Sequence, residues 1–346
     1  MNYPKIIKNT EQLEDLLSDP SPACVNALKR INGDILILGV AGKMGPTLAR
    51  MMQRAMVADG SQRTRKVIGV SRFSNPAEEK KLNDHGIQTI KADLLDPEQL
   101  RKLPDAPNII YMAARKFGST GDEPLTWAMN AVLPGMVAQR FVASRIAAFS
   151  TGNVYPLTPV ALGGSREADP TGPIGEYAMS CLGRERAFQH YAKQNKTPTS
   201  IIRLNYATEL RYGTLVDIAR KVYADQEIDL SMGSFNAIWQ GDANAMSIAS
   251  LADAATPAFI LNVAGPETLS VRRVAEQFAQ IFHKQPRFTG VERPDALLSN
   301  GQLGHTMYGY PRVPIQQLIE WIAHWTESGG ESLNKPTHFE TRDGRF

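Results

Sequence analysis

Gly39, Gly42 and Gly45 stand three residues apart, directly after the apolar run Ile35-Leu-Ile-Leu and before Pro46-Thr-Leu-Ala-Arg-Met-Met. Glycines at a strand-to-helix junction can hold a pyrophosphate. Gly39 allows a sharp turn, Gly42 has no Cβ to keep a phosphate off the main chain, and Gly45 lets the helix pack closely on the strand. The helix N-terminus then offers its unpaired N–H groups to the anion. Lys43 and Met44 complete the turn. The spacing is G-x-x-G-x-x-G, so the pattern points to a nucleotide site through its strand and helix context, since a glycine triplet alone marks many ordinary turns.

The next residues that could touch a dinucleotide follow in chain order. Ser71 and Arg72 end the second apolar run, where an NAD-binding protein places a carboxylate for the ribose 2′-hydroxyl. A serine and a guanidinium would accept a 2′-phosphate that a carboxylate would repel, which favours NADP(H) over NAD(H). Arg72 stacked on adenine or turned to solvent is the other reading. Asp93-Leu94 follows the third run, where a carboxylate can accept from the adenine amino group. Met112-Ala113-Ala114 ends the fourth with small residues against which a dinucleotide can lie.

These positions require strands alternating with helices. The pattern predicts strands at 35–40, 67–71, 88–92, 108–113, 145–150 and 199–205. Helices are expected between them at 44–57, 76–85, 97–103, 124–142 and 175–195. This is an α/β fold, a Rossmann-type doubly wound parallel sheet covered on both faces. Residues 1–32 read as a helical extension outside the main fold, and 33–205 as the dinucleotide-binding domain. Residues 206–346 read mainly as a smaller substrate lobe and tail, with segments at about 235–285 returning to the nucleotide domain. In the lobe, helices are expected at 213–224, 243–252, 271–284, 293–298 and 314–327, and strand-like pieces at 227–230 and 236–240.

Two later motifs complete a recognisable order: Phe149-Ser-Thr151-Gly-Asn153-Val-Tyr155, and Glu176-Tyr177-Ala-Met-Ser-Cys181, with Tyr177 twenty-six residues after Thr151. With the glycine turn, Asp93-Leu94, Ala113-Ala114, Ile202-Arg-Leu and Leu261-Asn-Val-Ala-Gly-Pro, they make residues 33–285 resemble the extended short-chain dehydrogenase/reductases, the NAD(P)-dependent epimerase/dehydratase family. The resemblance implies hydride exchange with a nicotinamide ring, Tyr177 passing a proton to or from the substrate oxygen and Thr151 orienting that oxygen. It also implies a homodimer built through the helices at 124–142 and 175–195.

One position departs from the family. A lysine is expected four residues after the tyrosine, on the same helix face, and Cys181 stands there. A thiol is mostly neutral at pH 7 and supplies no charge to lower the tyrosine pKa. Three explanations remain open: the cationic oxidised nicotinamide compensates, another lysine enters the site, or the chemistry has been lost. Lys116, just past strand four, is the candidate for the second; some UDP-sugar epimerases of the family look similar at this point. The family's Arg-x-x-Asn also fails, because Asn205 follows Arg203 one place early. Asn153, Arg211 and Trp239 are candidate substrate contacts, an arginine suiting a carboxylate or phosphate.

Bulk properties exclude several alternatives. With 38 basic and 35 acidic residues and no basic block, nothing points to nucleic acid or an anionic membrane. Cys24 and Cys181 make no disulfide framework, and six histidines show no paired metal-ligand spacing, so no metal is expected. No apolar run reaches membrane-spanning length, and the N-terminus lacks a signal-peptide core, so a cytoplasmic protein is expected. The reading is an oxidoreductase or epimerase acting at a secondary alcohol or ketone of a sugar or sugar-derived acid, with a small-molecule substrate. The alternative is a non-catalytic dinucleotide sensor.

Overall fold

A computed structural model describes residues 3–116 and 121–345. Its centre is a seven-stranded parallel sheet: β1 (Ile35–Leu38), β2 (Val67–Ser71), β3 (Gln88–Lys91), β4 (Asn108–Tyr111), β5 (Arg145–Thr151), β6 (Thr199–Leu204) and β7 (Phe259–Val263). The spatial order is β7-β6-β5-β4-β1-β2-β3, so the order in which strands are added reverses between β1 and β4, where a crevice opens at the carboxyl ends of the strands. Both faces of β1 are buried, which explains its unbroken apolar run. Ile35 and Ile37 enter one core with Leu48, Met52 and Ile248; Leu36 and Leu38 enter the opposite core with Leu133, Val137 and Phe188.

The helices are α1 (Thr10–Leu17), α2 (Pro22–Leu28), α3 (Gly45–Asp59), α4 (Pro76–Asp84), α5 (Pro97–Arg101), α6 (Glu123–Trp127), α7 (Leu133–Arg140), α8 (Gly175–Asn195), α9 (Thr214–Tyr223), α10 (Gln240–Ser250), α11 (Val271–Phe282), α12 (Gln302–Tyr308) and α13 (Ile315–Glu327). A second core gathers Leu215, Phe235, Trp239, Phe278, Trp321 and Phe339 from the C-terminal half. The second half also supplies β7 to the main sheet, and α10 packs on α2 and α3.

Three expectations are corrected. The N-terminal helices are not outside the fold: Cys24 and Leu28 enter a sheet core, Leu13 and Leu17 the lobe core. Asn9 and Ser21 cap them by accepting from the N–H groups of Gln12 and Cys24. The helix expected at 124–142 is interrupted by a π turn at Ala128–Val132, between α6 and α7. At 293–298 there is no helix; Asp295–Ala296 pairs antiparallel with Thr158–Pro159, and α12 follows instead. A short apolar run such as Ala296-Leu-Leu has no periodicity to separate the two states, and Arg342 fixes the strand by pairing with Asp295 at 2.6 Å. The aromatic tail docks on its own chain through buried Phe339.

Candidate active site

The glycine turn has the shape its residue types imply. Gly39 has φ +89°, and a Cβ there would lie 2.7 Å from the Ala113 nitrogen, so the first turn must press on the end of β4. A Cβ at Gly45 would lie 2.1 Å from the Val40 carbonyl oxygen, which fixes the close helix–strand approach. Helix α3 starts without a side-chain cap, at Met44.

A cleft of about 310 Å³ runs over this turn, lined by Gly39, Gly42, Ser71, Arg72, Asp93, Leu94, Ala113 and Ala114 among others. Residues from four strand ends thus meet in one place, as the crevice at a sheet's switch point requires. Only the Cβ position of Gly42 is largely open, with a single neighbouring atom, the Gly39 oxygen at 3.3 Å. That opening, beside a helix terminus with no side-chain cap, fits a dinucleotide phosphate. Phe73, Glu78 and Met129 are among the cleft residues that the sequence did not single out. Phe73 carries φ +43°, a conformation that side chains rarely adopt and that tends to occur where local geometry serves a site. Glu78 places a carboxylate on the same wall as Arg72. Asp93 commits one oxygen to its own turn, accepting from the Leu95 N–H at 3.0 Å.

Beyond this cleft lies a second cavity of about 170 Å³, between the sheet and the lobe, lined by Lys43, Lys116, Thr151, Asn153, Tyr212 and Thr337 among others. Thr151 ends β5, and its hydroxyl donates to the Asn153 side-chain oxygen at 2.9 Å. Tyr177, in the first turn of α8, is 8% exposed, and its hydroxyl is hydrogen-bonded with Thr151 and Cys181. Tyr177 itself is not on the cavity wall; it reaches the cavity through Thr151. Its ring faces a separate groove with Gly175, Asp343 and Gly344, where the tail crosses α8.

Burial pushes the Tyr177 pKa well above the ordinary tyrosine value, and Cys181 adds to the rise, while Arg184 and the Thr151 hydrogen bond oppose it. The phenol is thus held protonated and suited to donate. Burial also raises the Cys181 thiol, against Arg184, so it is a neutral side chain rather than a reactive thiolate. Lys116 holds its Nζ 5.8 Å from the centre of the Tyr177 ring. Burial lowers its pKa to about 8, so the ammonium predominates only below that pH. The following Phe117-Gly118-Ser119 lie outside the described residues.

Two positioning residues were missed. Asn130, turned inward by the π turn, accepts from the Arg115 N–H at 2.9 Å and donates to the Arg115 carbonyl at 2.8 Å, fixing the segment that carries Lys116. It also donates to Ser180 on α8 at 3.0 Å. Arg184 donates to the Phe149 carbonyl and to the Asn130 side-chain oxygen, each at 2.8 Å, tying α8 to β5. Asn130 stands out in sequence as an isolated polar residue among apolar neighbours, whereas Arg184, followed by Glu185 and Arg186, carries no such signal. Tyr206, with φ +45°, and Tyr212 complete the cavity wall.

Two substrate candidates do not reach the cavity. Trp239 is 1% exposed and packs on Trp321 with ring centres 5.6 Å apart. Arg211 is drawn away by Glu209 and Glu14, at 3.2 and 3.3 Å. Asn153 does line it. Among the described residues no cluster of His, Cys, Asp and Glu could hold a metal, and no helix is long and apolar enough to cross a membrane.

The sequence model of the NAD dependent epimerase/dehydratase family matches residues 35–208, the span from the glycine turn past β6. The chain belongs to this family of enzymes. The epimerase/dehydratase fold is also that of solved structures. The dTDP-glucose 4,6-dehydratase of Bacillus anthracis, in complex with NAD, matches with a TM-score of 0.69 at 17% identity, covering 86% of this chain and 97% of that one. The UDP-glucose 4-epimerase of Thermus thermophilus, also with NAD, matches with a TM-score of 0.68 at 18% identity, covering 84% and 98%. Pal from Bacillus thuringiensis matches with a TM-score of 0.68 at 20% identity, covering 85% and 99%. No curated protein matches the sequence significantly.

Proposed function

We propose that this epimerase/dehydratase family member catalyses hydride transfer at a secondary alcohol or ketone carbon of a sugar or sugar-derived acid. The observation that carries the reading is the hydrogen-bonded Thr151–Tyr177 hydroxyl pair, which meets the second cavity at Thr151. The nicotinamide supplies or receives the hydride when bound. Tyr177, through its hydrogen bond with Thr151, gives the substrate oxygen a proton or takes one, Thr151 holds that oxygen in place, and Lys116 contributes positive charge where Cys181 contributes none. Gly39, Gly42, Met44 and Gly45, with the main chain of Lys43, would take the pyrophosphate end. Asp93, Leu94, Ala113 and Ala114 would take the adenosine and the chain leading to the ring.

Exposed Arg72 beside Ser71 supports NADP(H) as the preferred cofactor. Glu78 on the same wall, and the NAD bound in related structures, support the alternative NAD(H). Exposed Val132 (58%) and Met179 (46%), from the π turn and α8, support a homodimer formed across these helices. A cytoplasmic location remains part of the reading.

The second reading, a dinucleotide sensor, is favoured by the buried neutral thiol in place of an ammonium. The test is to incubate the protein with NADP⁺ or NAD⁺ and a panel of sugars, sugar acids and nucleotide sugars. Reduced-nicotinamide absorbance and product chromatography are read together, because an epimerase leaves no net cofactor change. Product formation supports the enzyme; cofactor binding without product from any panel member refutes it in favour of the sensor.

A further inference from the structure

Lys43 is an unusual residue to find between the glycines of a phosphate-binding turn, because its side chain does not stay with the turn. It crosses to the lobe, with Nζ 3.7 Å from the centre of the Tyr212 ring and 3.4 Å from the Ala207 carbonyl oxygen. It lines the 170 Å³ cavity together with Lys116, Thr151 and Asn153. The carboxylates that act on the two lysines, Glu209 on Lys43 and Asp217 on Lys116, also hold other partners. Glu209 is paired with Arg211, and Asp217 accepts the Thr337 hydroxyl at 2.6 Å and its N–H at 2.8 Å. Lys43 and Lys116 thus converge on one small cavity, Lys43 against an aromatic face and a carbonyl oxygen.

We infer that Lys43 and Lys116 form an anion subsite that binds the carboxylate or phosphate of a compact substrate, whose reacting carbinol lies at Thr151. The inference rests on the hydride-transfer reading for the reacting carbon, but not for the anion. Volume argues for a compact molecule. The cavity is smaller than the cleft offered to the dinucleotide, and below the roughly 300 Å³ at which ligand pockets usually begin. Thr337 of the docked tail lines it on the lobe side, which favours a sugar acid or sugar phosphate over a nucleoside diphosphate with its sugar.

The electrostatics give the subsite a pH dependence. Burial lowers Lys43 to about 7; Glu209 opposes that fall, and Lys116, Arg211 and Lys335 of the tail add to it. Lys116, lowered by burial to about 8, is opposed by Cys181 and Asp217. Lys43 loses its charge as pH passes about 7, and Lys116 as it passes about 8. Anion binding must therefore weaken as pH rises through that interval.

The test uses the protein saturated with its nicotinamide cofactor and measures binding of D-glucuronate, glucose 6-phosphate, inorganic phosphate and neutral D-glucose by calorimetry at pH 6.5 and 8.5. At least one anion should bind more tightly than glucose, more tightly at pH 6.5, and about 10-fold or more weaker to Lys43→Met. Cofactor affinity of that variant should stay within about two-fold. The proposal is overturned if no anion binds in a Lys43-dependent way, or if Lys43→Met weakens cofactor and anion alike, which would make Lys43 a pyrophosphate contact. Tighter binding of UDP-glucuronate than of glucuronate would overturn the compact substrate. Lys43-dependent binding without turnover would refute hydride transfer and leave the anion subsite standing.

Discussion

Replacing Cys181 with lysine restores the charge that the active-site helix lacks, and its effect can be worked out before any substrate is known. The thiol is within hydrogen-bonding reach of the Tyr177 hydroxyl, one helical turn away. An ammonium about 5 Å from the phenolate oxygen, at an effective dielectric of about 20, favours the ionised form by about 3 kcal/mol, or about two pH units. Burial now holds Tyr177 well above the ordinary range, so the wild-type phenol stays protonated throughout the physiological range and beyond. The assay is the ultraviolet absorbance of tyrosinate during alkaline titration, with Tyr177→Phe subtracted and circular dichroism confirming the fold at each pH. Cys181→Lys should bring the Tyr177 increment lower, by about two units over the pH range in which the new ammonium keeps its charge. Cys181→Met adds bulk without charge and should not move it. Overpacking at this fully buried position costs about 1–3 kcal/mol in either variant, so a similar loss of thermal stability is expected from both. Coincident titrations of the lysine and methionine variants would refute the reasoning, because charge at position 181 would then not reach the tyrosine.

Other expectations follow from the same contacts. Glu185→Ala leaves Arg203 buried without the carboxylate it meets at 2.8 Å, and removes the acceptor of Ser150, so urea unfolding should show a loss of about 3–5 kcal/mol; a loss below 1 kcal/mol would show that the pair does not lock α8 to the sheet. Arg72→Ala should weaken NADPH about 10-fold or more and leave NADH unchanged, by fluorescence titration; equal losses would remove Arg72 from 2′-phosphate recognition. Burial raises both thiols, Cys24 to about 12, so iodoacetamide at pH 8 should label neither in the native protein and both after unfolding. Rapid native labelling of Cys181 would contradict its place in the core.

How far the site was legible depended on whether its residues act locally. The glycine turn could be read because Gly39 and Gly45 answer contacts made within one strand-turn-helix unit. Thr151 and Tyr177 could be paired because β5 and α8 are consecutive elements of a regular alternation. The substrate cavity could not be assembled in this way. Tyr206, Tyr212 and Thr337 come together only when the lobe and tail fold back, and no spacing records that meeting. Arg211 and Trp239 were misread for a related reason: a guanidinium or an indole is as suited to a carboxylate partner or a core as to a ligand. Glu14, almost two hundred residues away in sequence, is one of the acids that decides it for Arg211. The π turn was hidden because Glu123 to Arg140 has a helical pattern throughout, and the extra residue shows only in Asn130 facing inward.

The central claim is that Tyr177 moves the proton that accompanies hydride transfer. Turnover of Tyr177→Phe, measured beside wild type with the same cofactor and the best substrate of the panel, tests it most directly. The account predicts a fall of about 10²–10⁴ in kcat, with cofactor affinity within about two-fold. Turnover undiminished in the phenylalanine variant would contradict it.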